Sequence, residues 1–283
     1  MNEKKSNMPS ILSQSIANAI CSFIRTECNT EDESSPLGKR IFEILENYCT
    51  VIYYPIEDAI EKNDGFLMAD IPMSDGSSKS ITYINTYQTE EKQVFAAAHE
   101  LGHFLHVDHH IKEKCGKELD SEAIVNRFAA ELLMPKELFR KSFFEKMSSI
   151  EKNNSVITNS DMFSIIVELM DAFVVPYNAV VIRLVETEII DKNDGRMLVD
   201  GNEIMSLEYV KKIVEKIISV GSFKNLTQSS RKCEIRGLEE LLNKAEEKKA
   251  ESLIKVKRLR EKFGIIKNSK DVLSRKDIKI SKR

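Results

Sequence analysis

The sequence predicts an α+β fold, in which a small β-sheet and one buried, chemistry-bearing helix are followed by a mostly helical C-terminal region. Three observations predict it. Three short β-like runs, Thr50 to Tyr54, Gly65 to Met68 and Lys79 to Asn85, stand together, with turn signals at Asp64-Gly65 and Asp75-Gly76. Directly after them, Glu91 to about Val107 is built of strong or apolar helix formers, and Glu100 is its only Asp, Glu, Lys or Arg between Val94 and Val107. From Asp120 onward the pattern reads as a succession of helices.

The elements follow in order. Ile11 to Ile24 carries Leu12, Ile16, Ile20, Phe23 and Ile24 at helical spacing and contains Gln14 and Asn18. It lacks a small-residue cleavage signal, so it reads as an amphipathic helix rather than a signal peptide. Thr30 to Pro36 is a polar loop, and a short helix with Ile41, Ile44, Leu45 and Tyr48 on one face precedes the β-like runs. Asp120 to Pro135 is a second strong helix, capped by Asp120 or Ser121 and ended by Pro135. Lys141 to Asn159 is polar and linker-like. Asp161 to Phe173 and Tyr177 to Val185 are helices separated by Val174-Val175-Pro176. Asp191 to Asn202 is turn-rich, with Asp194-Gly195 and Asp200-Gly201. Leu207 to Val220 is helical. Leu238 to Phe263 is a long charged helix with a heptad pattern interrupted at Lys249 and Ser252, and residues 264–283 are polar, basic and disordered. The expected organisation is residues 1–150, then a two-helix unit at 160–190, then a helical, basic region at 191–283.

A chain of 283 residues with 42% hydrophobic content can bury a sizeable core. No stretch is long and apolar enough to span a membrane. Five scattered cysteines without a C-x-x-C pair read as free thiols in a reducing cytoplasm. Residues 231–283 hold 18 Lys/Arg against 9 Asp/Glu, a net of +9, whereas residues 1–230 carry −12. A basic tail of this kind suits nucleic acid or an acidic partner, or folds back on the acidic body of its own chain.

The chemistry lies in His99-Glu100-Leu101-Gly102-His103, which reads H-E-x-x-H, the zinc-binding and catalytic pentad of metallopeptidases. Residues four apart share a helix face, so the two imidazoles can grip one zinc while Glu100 acts on water beside it. As mere core residues they would leave Glu100 a buried charge without a partner. Gly102, costly inside a helix, suggests close approach of a neighbouring strand. A catalytic zinc needs a third protein ligand. His109 has the metzincin spacing, but His106 stands where metzincins carry the glycine that turns the chain. Glu122 is the better candidate, because it lies on the apolar stripe of the second helix with Val125 and Ala129, where a carboxylate needs a cation.

These two segments together resemble the ImmA/IrrE family of zinc metallopeptidases. The family's H-E-L-G-H block is followed by E-x-x-A-N-x-F-A and then L-L-M-P. Here these are His99 to His103, Glu122 to Ala129 and Leu132 to Pro135, with Val125 where the family usually has alanine. An arginine that the family often places before the motif helix is missing, and Glu91-Lys92-Gln93 stand in that region. The resemblance implies a zincin-like core of gluzincin type, with His99, His103 and Glu122 holding Zn2+ and Glu100 as general base. Asn126, one turn after Glu122, would support a ligand, and Tyr83 and His106 are candidates for steadying the oxyanion. The two-helix unit at 160–190 is similar to a helix-turn-helix that many members carry, although Arg183 is the only basic residue on its second helix.

The resemblance further implies a cytoplasmic endopeptidase that cleaves a helix-turn-helix transcriptional repressor and so derepresses mobile-element, phage or stress-response genes. The alternative is a non-catalytic regulatory protein, using the same scaffold or the basic C-terminus to bind a repressor or nucleic acid. A purely structural zinc site fits poorly, since such sites are usually closed by four Cys or His ligands, while manganese is a second metal that suits this donor set.

Overall fold

The computed structural model describes residues 8–28, 35–57, 64–72, 76–115, 118–151, 158–201, 205–247 and 251–265. The chain opens with α1 (Gln14–Glu27), a 3-10 turn (Gly38–Arg40) and α2 (Ile41–Tyr48). Then come β1 (Thr50–Tyr54), β2 (Gly65–Pro72) and β3 (Ser78–Asn85), followed by α3 (Glu90–Phe104), α4 (Val107–Cys115) and α5 (Ser121–Leu133). The rest is α6 (Lys136–Glu151), α7 (Asn159–Phe173), α8 (Tyr177–Glu186), α9 (Lys192–Asp200), α10 (Leu207–Val220), α11 (Lys224–Thr227), β4 (Glu234–Ile235), α12 (Leu238–Glu247) and α13 (Leu253–Lys262). The architecture is therefore α+β, with a small mixed sheet and a helical C-terminal region, as the pattern of runs predicts. No single described helix is long and apolar enough to cross a membrane.

The sheet has strand order β2-β3-β1-β4. β1 and β3 run parallel in the middle, and β2 and β4 flank them antiparallel. β2 is an edge strand whose register with β3 shifts between Met68 and Ile71, where Asp70 adopts a left-handed φ of 52°. Helix α3 packs against β2 and β3 on one side and against α5 on another, and α1 covers α4 and α5. The residues that drive this are those with helical spacing in the sequence: Ile16, Ile20 and Phe23 of α1, Ala97, Ala98 and Leu101 of α3, and Val125, Phe128, Ala129 and Leu132 of α5 all lie in one core.

Three expectations are corrected. Lys141 to Asn159 is not a linker up to Glu151, because α6 continues through it, anchored on its inner face by the buried Phe139 and Phe143. Residues 152–157 lie outside the described residues. The expected turn-rich stretch from Asp191 is instead helix α9, Lys192–Asp200, with capped ends, and the last residue of that stretch, Asn202, lies outside the described residues. The Asp191 carboxylate accepts hydrogen bonds from the N–H groups of Asn193 and Asp194, and Gly201, at φ 73°, stops the helix. Leu238 to Phe263 is two helices, since Ser252 accepts a hydrogen bond from the Lys255 N–H and starts α13 afresh. Residues 248–250 lie outside the described residues, as do Thr30 to Ser34 of the expected loop, Asp75 of the expected turn and 266–283 of the expected disordered tail.

The C-terminal third also returns to the sheet, which its sequence pattern does not announce. Ile52 and Tyr53 pair with Ile235 and Glu234. The buried Thr86 is the anchor of this return: its carbonyl accepts from the Ser229 hydroxyl (2.7 Å) and the Arg231 N–H (2.9 Å), and its hydroxyl donates to the Lys232 carbonyl (2.7 Å). Several basic residues of this region engage the body of the chain. The Lys232 ammonium sits 4.2 Å from the Tyr53 ring, Lys262 4.8 Å from the Tyr54 ring, and Arg236 pairs with Glu46 at 3.0 Å. For these residues the fold-back reading of the basic tail holds.

Helix α5 is tied to α8 by four buried charges. Arg127 meets Glu131 at 2.8 Å and Glu186 at 2.9 Å. Arg183, with no exposed surface, bonds both oxygens of Glu131, reaches Glu186 at 3.2 Å and donates to the Met134 carbonyl at 2.9 Å. Arg183 thus belongs to the core of the protein and cannot meet a phosphate. The α7–α8 pair bends by 103° around Val174 to Pro176. Removing one member of such a cluster strands an opposite charge in the interior. Arg183→Ala is expected to cost about 3–5 kcal/mol, read as a lowered thermal midpoint.

Gly102 faces a helix rather than a strand. A Cβ there would stand 2.9 Å from Phe128 Cδ1 and 3.0 Å from Val125 Cγ1, both on α5. Gly102→Ala gains about 1 kcal/mol of helix propensity but overpacks a closed interface at about 1–3 kcal/mol. The expected result is net destabilisation in a denaturant titration, and Gly102→Val is expected to be worse.

Candidate metal centre and active site

Helix α3 begins after Thr89, whose backbone is extended, and its consecutive turns carry Phe95, His99 and His103 along one row. The neighbouring row, with Ala96 and Glu100, faces β2: a Cβ on Gly65 would lie 3.6 Å from the Ala96 methyl, and the Leu67 N–H donates to the Glu100 carboxylate. From the other side α5 presents Glu122 in its first turn. Asp120 caps that turn by accepting the Glu122 N–H at 3.2 Å. Ser121 donates to Asp108 of α4 at 2.6 Å, and Lys112 donates to Ser121 at 2.6 Å. Asp108 and Lys112 thus position the helix end that carries Glu122. Nothing in their spacing marks them, because the contact joins two helices across a turn.

The geometry brings His99, His103 and Glu122 together. The two Nε2 atoms are 3.0 Å apart, Glu122 Oε2 is 3.4 Å from His99 Nε2, and Glu122 Oε1 is 3.4 Å from His103 Nε2. A tetrahedral zinc with bonds of about 2.0–2.1 Å sets its ligand atoms about 3.3 Å apart. The three donors therefore already stand at the separations such an ion requires, and their nitrogen and carboxylate chemistry suits it. His99 Nδ1 lies 3.0 Å from the Asn126 amide oxygen. With that oxygen accepting, the proton sits on Nδ1 and the Nε2 lone pair is left for a metal. Burial, then the nearby His103, holds the His99 pKa below its ordinary value against the pull of Glu122 and Asn126, which favours the neutral ligand form.

Glu100 sits beside this group. Burial, followed by repulsion from Glu122, pushes its pKa up to about 7, while the Leu67 N–H opposes the shift. A carboxylate with that affinity can take up and release a proton near neutrality. The site is asymmetric: side-chain exposure is 18% for His99, 30% for His103 and 61% for Glu122, so access is from the Glu122 side.

The other sequence candidates lie elsewhere. His109 Nδ1 is 3.7 Å from Glu113 Oε2 on the exposed face of α4 and takes no part in the group. His106 makes the turn from α3 to α4 with a φ of 51°, the left-handed conformation a glycine would supply, and its side chain is exposed. The Tyr83 hydroxyl donates to the Tyr54 carbonyl at 2.9 Å and its ring rests on Phe66, so that donor is already committed. No described contact brings Tyr83 or His106 to the three donors.

Comparison with known proteins places this geometry in context. Residues 50–185 match the family model of the IrrE N-terminal-like domain, peptidase M78. No curated protein matches the chain. Among solved structures, the chain is similar to a Mycobacterium tuberculosis transcriptional regulator at 13% identity and a TM-score of 0.38. The match covers 61% of this chain and 47% of that one, so the chain spans about half the length of that structure.

The hydrogen bond from His99 to Asn126 yields a prediction. Asn126→Ala is expected to weaken zinc affinity about 10–100-fold, measured by competition with a chromogenic chelator, with little change in thermal midpoint of the metal-free protein.

Proposed function

Because the chain belongs to the ImmA/IrrE family, whose peptidase M78 domain occupies residues 50–185, we propose that it is a zinc-dependent endopeptidase held by His99, His103 and Glu122, with Glu100 as its general base. The observation that carries the proposal is the convergence of those three donors at zinc-like spacings, two of them on the helix that also bears the buried Glu100. When bound, zinc supplies Lewis-acid polarisation of the scissile carbonyl and brings the pKa of water at the site to about 7. Glu100 takes the proton of the attacking water on its carboxylate and passes it to the departing amine nitrogen, a role worth roughly 10²–10⁴-fold. The backbone N–H of Leu67 on β2 favours the charged form of that carboxylate. Asn126 keeps the His99 ring and its tautomer in place.

The substrate is read as an extended segment added to a strand edge. Two strands are candidates on sequence, Gly65 to Ala69 and Ile81 to Asn85. β3 is paired on both sides, with β1 and β2, which leaves β2. Its outer edge runs beside Glu100 and bears the exposed Phe66 and Met68. Following the family, we take the target to be a cytoplasmic helix-turn-helix repressor whose cleavage derepresses mobile-element, phage or stress-response genes.

The test pairs the purified protein with the helix-turn-helix regulator encoded nearest to its gene, with cleavage read by mass spectrometry. Cleavage is expected to vanish with a chelator, return with zinc, and fall at least about 10²-fold in Glu100→Gln while zinc binding persists. Capture of the regulator by wild type and Glu100→Gln alike, with zinc bound and no cleavage, would instead support the regulatory binding role.

A further inference from the structure

Between α3, α5, α8 and the segment before α1 lies a cleft of about 330 Å3, at the small end of the volumes that hold low-molecular-weight ligands. Among the described residues it is lined by none of the three donors, by neither Glu100 nor any part of β2. It meets the metal centre at Asn126, on the Nδ1 side of His99. It thus lies behind the His99 ring, away from the Nε2 atom that faces His103 and Glu122.

Its walls and its polar groups are of different kinds. Leu12, Phe95, Pro176, Ala179 and Ile182 are half-buried and give apolar surface. Ser10, Asn126 and Asn178 are exposed and add a hydroxyl and two amides. The buried pair Arg127 and Glu186 also lines the cleft, with side chains 4% and 7% exposed. Nε and Nη2 of Arg127 are committed to Glu131. Its Nη1 stands 2.9 Å from Glu186 Oε1, yet makes no hydrogen bond to it or to any other described group. A buried donor left in that state costs free energy that an acceptor atom would recover.

The charges decide what kind of acceptor. An anion drawn to Arg127 meets Glu186 within the same few ångströms, and a cation drawn to Glu186 meets Arg127. A ligand charge of either sign therefore gains little and loses its hydration. A neutral head group avoids that loss. An amide suits all the polar groups at once, because its carbonyl accepts from Nη1 and its N–H groups donate to the oxygens of Ser10, Asn126 or Asn178.

From this we infer that the cleft binds neutral, amide-headed small molecules with a short apolar body, the carbonyl directed at Arg127 and the body against Phe95, Pro176 and Ile182. The inference does not rest on the peptidase reading, since no donor to the metal centre takes part.

The test titrates the full-length protein with hexanamide, hexanoate and hexylammonium, with binding read by saturation-transfer NMR. Hexanamide is expected to saturate with a Kd of about 1 mM or tighter. The two charged analogues share its apolar body and are expected to bind at least about tenfold more weakly. Ala179→Phe, which fills the cleft, is expected to abolish hexanamide binding. Asn178→Ala, which removes one amide from the lining, is expected to weaken it about threefold or more, and covers the case in which Ala179→Phe fails to fold. Zinc-loaded and zinc-depleted protein are expected to bind hexanamide alike. Absence of saturable hexanamide binding overturns the inference, as does equal or tighter binding of either charged analogue. Binding that neither variant changes, or that requires zinc, places the compound elsewhere and overturns it too.

Discussion

The structure depends on the four-charge cluster between α5 and α8. Burying Arg127, Glu131, Arg183 and Glu186 is costly, and the cost is offset only when every charge meets its partners in good geometry. Glu131 meets that condition through both arginines, while Arg127 Nη1 stands 2.9 Å from Glu186 Oε1 without a hydrogen bond, so the fit of the two helices is set chiefly at Glu131. Burial alone would raise the Glu131 carboxyl, but the Arg183 hydrogen bonds and the two guanidiniums outweigh it and leave the charged form favoured. For Glu186 burial wins, and its pKa rises despite the same cations. The cluster is therefore not a set of equal ion pairs: Glu131 is its centre, bonded by both arginines. Because Arg127 follows Asn126 and lies little more than a turn beyond Glu122, the rotation that satisfies Glu131 also aims Asn126 and Glu122 at α3.

Two further contacts complete the placement. Gly102 lets α5 approach α3 until Val125 and Phe128 fill the space a side chain would occupy, which sets the depth of α5 against the histidine row. Asp108, Lys112 and Ser121 pin the first turn of α5 to α4, which fixes its tilt at the end where Glu122 projects. Rotation, depth and tilt are thus set by three separate groups, none of them a donor to the metal centre. The donors reach separations of 3.0–3.4 Å through packing of the protein itself, so a bound ion need not reorganise the site.

How much of this was legible in the sequence depends on whether the signal was local. The histidine pair and Glu100 share one helix, and the periodicities of α1, α3, α5, α7, α8 and α10 come from apolar residues within each segment; both can be read without knowing the fold. Glu122 was legible because a carboxylate on an apolar stripe is out of place. The misreadings have physical causes. Asp191 and Gly201 read as turn residues in the sequence but are the two caps of α9, and a short helix shows more cap than body. Helix α6 was hidden by a polar exposed face around two buried phenylalanines. Ser252 looked like a flaw in one heptad pattern and is the start of a new helix. Arg183 reads as a basic residue open to phosphate because nothing within α8 reveals that its main partner, Glu131, lies about fifty residues earlier, on α5. β4 has two residues and no pattern at all.

The sheet itself limits where a partner strand can bind. A four-stranded sheet has two edges, and unpaired edge groups invite another strand. On the β4 side, the C-terminal segment pairs with β1 and lays Lys232 over Tyr53, so that edge is dressed by the chain's own residues. On the β2 side, the register shift at Asp70 ends the regular edge, leaving Gly65 to Met68 as the usable stretch. That stretch is the one whose Leu67 N–H holds Glu100 and whose Phe66 and Met68 stand exposed. On the proposed peptidase reading, a strand added there would be brought to the buried carboxylate by backbone pairing before any side chain is read. Affinity for an extended segment and the position of the cut would then come from the same edge.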